Sequence, residues 1–148
     1  MTNTRNAGGS TVFTDCRLRA TARKQPWLQE HLCRWSAEGS SRTRAPPHIK
    51  TYTKISEDNE RLAFFMLTSA NLSKAAWGCV TAAGNSCNIL SYEAGVVWLP
   101  SLTTGEETFT RVSFCQRQSG SSQFPLHYDL PLHRYSDSDR PWLIDSLM

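Results

Sequence analysis

The chain has 148 residues, 39% of them hydrophobic, with 16 Lys or Arg against 13 Asp or Glu and a formal charge of +3. That length suits one ordinary domain with its own core, so a single domain is the default. No stretch approaches the roughly 20 apolar residues of a membrane span, and residues 1–10 are polar rather than signal-like, so the sequence reads as soluble and intracellular with no membrane partner.

Five cysteines (Cys16, Cys33, Cys79, Cys87 and Cys115) form no CxxC pair and are odd in number, which points to reduced thiols. His31 with Cys33, and His127 with His133, have no partner pair at ligand spacing, so neither a metal nor another cofactor is expected. The charge is lopsided. Residues 1–50 hold nine Lys or Arg against three Asp or Glu, a net +6, leaving −3 for the remainder. Such a basic third attracts polyanions, though charge alone does not distinguish this from a solvated arm.

In chain order, residues 1–22 lack an apolar period and read as loop, weakly extended near Val12 and Phe13. Pro26 suits a first helical turn. Trp27, His31 and Trp35 recur every four residues and Gly39 stands as a stop, so the pattern predicts a helix over residues 26–39 that buries both tryptophans. Pro46 and Pro47 lead into an extended segment, residues 48–52, and residues 55–60 form a charged turn. The apolar run 62–68 has the character of a buried central strand.

Asn71 is suited to cap a short helix over residues 72–77 that Gly78 ends. Strands are expected over residues 88–92, 95–99 and 109–114, followed by a long irregular segment, residues 120–142. Alternating strands and short helices make this an α/β layered domain. Tyr52, Trp77 and Trp98 read as core, and Lys54 and Lys74 as surface charges.

His48 and Lys50, two apart in an extended segment, project from one face about 6 to 7 Å apart. An imidazole that exchanges protons near neutral pH beside a compact ammonium can grip one phosphate. Asn71 adds a neutral donor.

With these residues, the strings KQPWLQEHLCRWSAEG (24–39), PHIKTY (47–52), TSANLSKAAWG (68–78), SYEAGVVWLP (91–100) and FPLHYDLPLHRYSDSDRPW (124–142) resemble the C-terminal half of tyrosyl-DNA phosphodiesterase, a branch of the phospholipase D superfamily. Ordinary superfamily motifs carry an aspartate five residues after the lysine. Ile55 stands there, and Asn71 matches the asparagine of the tyrosyl-DNA branch.

The resemblance implies a phospholipase D-like fold of mixed β-sheet flanked by helices, one of two pseudo-symmetric halves, with residues 1–22 as its loop-rich lead and residues 23–148 as the half-domain. It implies metal-free hydrolysis, in the nucleus, of a phosphodiester joining a topoisomerase-derived tyrosyl peptide to a DNA 3′ end. His48 matches the general acid and base, Lys50 and Asn71 the phosphate ligands, and Glu93 the carboxylate that orients the attacking histidine of the other half. Lys24 and Ser73 match residues that contact the DNA strand.

A second HxK motif does not occur in these 148 residues: His31, His127 and His133 precede Cys33, Asp129 and Tyr135. The expectation is a second catalytic half, weakly active or inactive alone. Two alternatives remain open. One is a homodimer that pairs two copies of His48, and the other is a DNA-binding or interaction fragment without chemistry.

Overall fold

The computed structural model describes residues 31–45, 47–114 and 122–136. The elements in order are β1 (Lys50–Ile55), β2 (Arg61–Thr68), α1 (Lys74–Trp77), β3 (Cys79–Val80), β4 (Cys87–Asn88), β5 (Gly95–Trp98), α2 (Pro100–Thr103), β6 (Phe109–Val112) and β7 (Gln123–Pro125). Five strands form one mixed sheet, while β3 and β4 make a separate two-stranded ribbon.

The apolar run becomes the central strand. One edge of β2 pairs antiparallel with all of β1, and the other is shared: β6 takes its start, Arg61 and Leu62, and β5 takes its end, residues 65–68. One face of the run is in the core, through Leu62, Phe65 and Leu67, while Phe64 and Met66 on the other are half-buried. Between Lys54 and Ile55 the register jumps from Phe64 to Leu62, leaving Ala63 as the extra residue of a β-bulge. The bulge turns Leu62 to the face that already carries Ile55 and Phe65.

That face builds the core. Ile55, Leu62, Phe65, Phe109, Leu126 and Tyr128 are buried together, with Trp35, Trp98 and Phe124 packed against them. Phe65 lies 4.7 Å from Phe124 and 6.0 Å from Trp98 between ring centroids. Each fully buried large side chain contributes roughly 1.5–3 kcal/mol, so this cluster carries most of the sheet's cohesion. The opposite face presents Lys50 and Tyr52 of β1, with the Tyr52 ring edge-on to Trp77 of α1 at 5.5 Å.

Several expectations are corrected. From residue 31 onward the 26–39 helix does not form, and residues 26–30 lie outside the described residues. Cys33 instead bridges Arg134, and the Arg34 N–H donates to the His133 carbonyl at 2.8 Å. Asp129 then gathers the chain: its carboxylate accepts from the Ser36 hydroxyl at 2.7 Å, the Glu38 N–H at 2.6 Å and the Gly39 N–H at 3.2 Å. Long-range partners outbid the local helical ladder. Trp35 packs on the core all the same.

Burial alone would raise the Asp129 carboxyl, but those three donors outweigh it and hold it below the usual carboxylate range. The 120–142 segment is not wholly irregular either, since β7 runs parallel to β6 and delivers Leu126 and Tyr128 to the core. The strand expected at residues 88–92 is shorter, ending at Asn88. Trp77 is 48% exposed rather than core. Among the described residues no helix is long and apolar enough to cross a membrane.

Candidate active site

Sheet register brings the candidate residues to one end of the molecule. Lys50, the first residue of β1, pairs with Thr68, the last of β2, and Thr68 pairs with Gly95, the first of β5. The segments that enter and leave this row carry His48, Asn71 and Glu93. His48 precedes β1 in a bend rather than lying in the strand. Its side chain is exposed, and the Lys50 ammonium lies 3.3 Å from Nδ1 and 3.4 Å from Nε2 of the ring. An ammonium has only donors, so it bonds whichever ring nitrogen lacks a proton. A phosphate oxygen is the stronger acceptor and competes directly for that ammonium.

Gly95 sets how closely the two motif-bearing strands meet. A Cβ there would stand 2.7 Å from both the Leu67 carbonyl oxygen and Thr68 Cβ, leaving no space for a side chain. Beyond this contact Thr68 Oγ1 donates to the Ala94 carbonyl at 3.1 Å and accepts from the Ala70 N–H at 3.1 Å. The Ser69 N–H donates to the same Ala94 carbonyl at 3.0 Å. Tyr52 completes the support by donating its hydroxyl to the Ala70 carbonyl at 2.9 Å. Asn71 therefore emerges from a loop tied on both sides.

Asn71 does not cap α1. Ser73 does, with its hydroxyl accepting from the Ala76 N–H at 3.3 Å. Gly78 closes the helix at φ 91°, as expected of a stop. Asn71 Oδ1 is buried without a partner among the described residues. The same side-chain amide carries two N–H donors, which are what a phosphate oxygen needs.

Glu93 is exposed, and one of its carboxylate oxygens accepts from Ser69 Oγ at 2.5 Å. Ser73 is also exposed, two residues past Asn71, with its hydroxyl engaged in the cap. Lys24 lies outside the described residues. Ser69, Thr68 and Tyr52 were missed as supporting residues by sequence reasoning. A hydroxyl residue beside a strand end is too common to signal by itself, whereas the register makes its role plain.

Among the described residues, no three His, Cys, Asp or Glu side chains converge as metal ligands. The groups gathered at this end, an ammonium, a side-chain amide and an imidazole, are ones that suit a phosphate. The family model described as tyrosyl-DNA phosphodiesterase matches residues 2–136. The chain belongs to the tyrosyl-DNA phosphodiesterase family.

Within that family it is 46% identical over 127 residues to tyrosyl-DNA phosphodiesterase 1 of Drosophila melanogaster, covering 84% of this chain and 21% of the fly protein. It is 47% identical over 151 residues to the protein of the same name from Arabidopsis thaliana, covering 82% and 25%. A probable tyrosyl-DNA phosphodiesterase of Caenorhabditis elegans is 36% identical over 144 residues, covering 94% and 26%. The chain thus spans about a fifth to a quarter of these relatives.

The fold agrees. A crystal structure of yeast tyrosyl-DNA phosphodiesterase superposes with a TM-score of 0.61 at 20% identity, covering 86% of this chain and 31% of the yeast chain. The phospholipase D-like α/β fold is therefore present. Among the described residues the named helices are short: α1, α2 and a 3₁₀ turn at Glu38–Ser40.

Proposed function

We propose that this chain supplies the second catalytic half of a tyrosyl-DNA phosphodiesterase, acting on 3′-phosphodiester adducts of DNA such as a topoisomerase-derived tyrosyl peptide, in DNA repair in the nucleus. The observation that carries the reading is the convergence of His48, Lys50, Asn71 and Glu93 at one sheet end through the Lys50, Thr68, Gly95 row.

In this reading a histidine from outside the chain attacks phosphorus and His48 protonates the departing tyrosyl oxygen. The same imidazole, now a base, takes a proton from the water that cleaves the phosphohistidine. Proton transfer of this kind accounts for about 10²–10⁴ of the rate. Lys50 and Asn71 bind the non-bridging oxygens, where charge is spread at the trigonal-bipyramidal phosphorus. Ser73, exposed beside Asn71, and Lys24 would contact the DNA strand.

Residues 23–148 form the half-domain in this proposal. The need for a further half is supported by the single HxK motif, by the share of the relatives that the chain spans, and by large apolar side chains exposed between residues 72 and 102. These include Leu72, Leu90, Tyr92, Val96, Val97 and Leu102. Among the described residues, the stretch that carries Asn71 and Glu93 thus holds most of the exposed large apolar side chains.

The test is incubation of the chain with a 3′-phosphotyrosyl oligonucleotide. Binding without appreciable release of tyrosine is expected. Robust cleavage by the chain alone that vanishes in His48→Ala would overturn the half-site assignment. Cleavage that rises with the square of protein concentration would replace it with a site shared by two copies.

A further inference from the structure

The hydroxyl of Ser69 has one proton and three oxygen or nitrogen neighbours at hydrogen-bonding distance. Its Oγ accepts from the Ala94 N–H at 3.1 Å, lies 3.4 Å from the Ala94 carbonyl and 2.5 Å from Glu93 Oε2. With its acceptor side already taken by a backbone N–H, the hydroxyl spends its proton on the nearest and most basic partner, the carboxylate. The Ser69 N–H donates in turn to the Ala94 carbonyl at 3.0 Å, so backbone and side chain of Ser69 both grip the residue that follows Glu93.

Glu93 has three side-chain torsions and is exposed, and it lies outside any strand or helix. Left free, such a carboxylate samples many rotamers, and each one lost on ordering costs entropy at the moment of reaction. Among the described residues Ser69 is the group that holds it. The anchor is rigid because Ser69 follows β2 directly and Gly95 lets β5 approach that strand without a side chain between them.

We propose that Ser69 is a positioning residue: by occupying Oε2 it fixes the Glu93 carboxylate so that Oε1 is presented to the imidazole N–H of the attacking histidine. The inference rests on the reading of Glu93 as the carboxylate that orients the nucleophile. A carboxylate held in this way selects the tautomer whose other nitrogen carries the lone pair toward phosphorus, as second-shell partners do for metal-bound histidines.

Two measurements on the full 148-residue chain test it. The first is conformational. Three-bond couplings across χ1 of Glu93, read by NMR, report one rotamer in the wild type and averaged values in Ser69→Ala, and Ser69→Thr, which keeps the hydroxyl, restores the single rotamer. A wild-type Glu93 that is already averaged, or a Ser69→Ala chain that is not, overturns the proposal.

The second supplies the missing nucleophile as free imidazole, with thymidine 3′-(4-nitrophenyl phosphate) as substrate. The imidazole lone pair forms the N–P bond as the P–O bond to the aryl oxygen breaks, and water then releases thymidine 3′-phosphate and imidazole. Ser69→Ala lowers imidazole-dependent kcat about tenfold with KM unchanged, Ser69→Thr recovers it, and Glu93→Gln loses at least as much. Imidazole-dependent turnover that Glu93→Gln lowers and Ser69→Ala leaves unchanged overturns the positioning role alone. Fixed couplings that Ser69→Ala releases, with no imidazole-dependent product, uphold the clamp on Glu93 and overturn the phosphodiesterase reading.

Discussion

The hydroxyl of Tyr52 donates to the carbonyl of Ala70 at 2.9 Å, so that a side chain of β1 holds the loop that follows β2. Tyr52 stands two residues after Lys50 and Ala70 one residue before Asn71. One hydrogen bond therefore ties the two halves of the proposed phosphate grip to each other. Removing it in Tyr52→Phe keeps the edge-on contact with Trp77 and leaves the Ala70 carbonyl unpaired. A loss of about 1 kcal/mol in urea unfolding is expected. A weaker affinity for a 3′-phosphorylated oligonucleotide, read by fluorescence anisotropy, is expected to accompany it.

Lys50 contributes a charge and little packing. In Lys50→Ala the dependence of single-stranded DNA affinity on salt should flatten by roughly one counterion, about 0.7 in the log–log slope. The control is Lys54→Ala, an exposed lysine further along β1, which should leave 3′-phosphate preference intact. An equal effect of both substitutions on that preference would remove Lys50 from the site.

Gly95 is required by space. A methyl group in Gly95→Ala meets backbone and a β-branched carbon rather than a flexible side-chain end, so β5 must draw away from β2. A cost of about 1–3 kcal/mol is expected from the forced fit. Looser packing at Thr68 should also appear as faster amide exchange at Ser69 and Ala94, whose N–H groups cross this junction.

Acid should destabilise the fold through His127. Burial against the core lowers its pKa from 6.5 to about 4, and its ring packs beside those of Phe65, Trp35 and Tyr128. Its folded value lies below its unfolded one, so the unfolded chain binds the extra proton. Stability is therefore complete above pH 6.5 and falls progressively as the pH drops toward 4, by up to about 3 kcal/mol. His127→Phe should flatten the urea midpoint between pH 7 and pH 4.5, measured by tryptophan fluorescence.

Asp129 holds residues 36–39 with three donors. Asp129→Ala leaves two backbone N–H groups and a serine hydroxyl to find water, and a loss of about 2–3 kcal/mol is expected from thermal unfolding. Asp129→Asn should cost less, because its amide oxygen still accepts.

Much of this was legible in the residues themselves. The HxK spacing, the asparagine string around Asn71, the SYEAG segment and the apolar run 62–68 depend on chemistry and on short-range period, and these gave the family, the central strand and the charged turn before it, although Ile55, expected in that turn, ends β1 and joins the core. The missing second HxK is likewise a property of the string. What depends on distant partners was not legible. Trp27, His31 and Trp35 repeat as a helix does, yet residues 33–39 surrender their backbone groups to Asp129, His133 and Arg134, nearly a hundred positions away.

Asn71 looked like a helix cap because propensity is local; the structure gives that task to Ser73 and leaves Asn71 Oδ1 buried without a partner among the described residues. Sequence alone determined which functional groups this protein owns. Only the tertiary structure decided that they meet, because the register Lys50, Thr68, Gly95 is a product of a bulge at Ala63, a β2 edge shared by β5 and β6, and a glycine too crowded to be anything else.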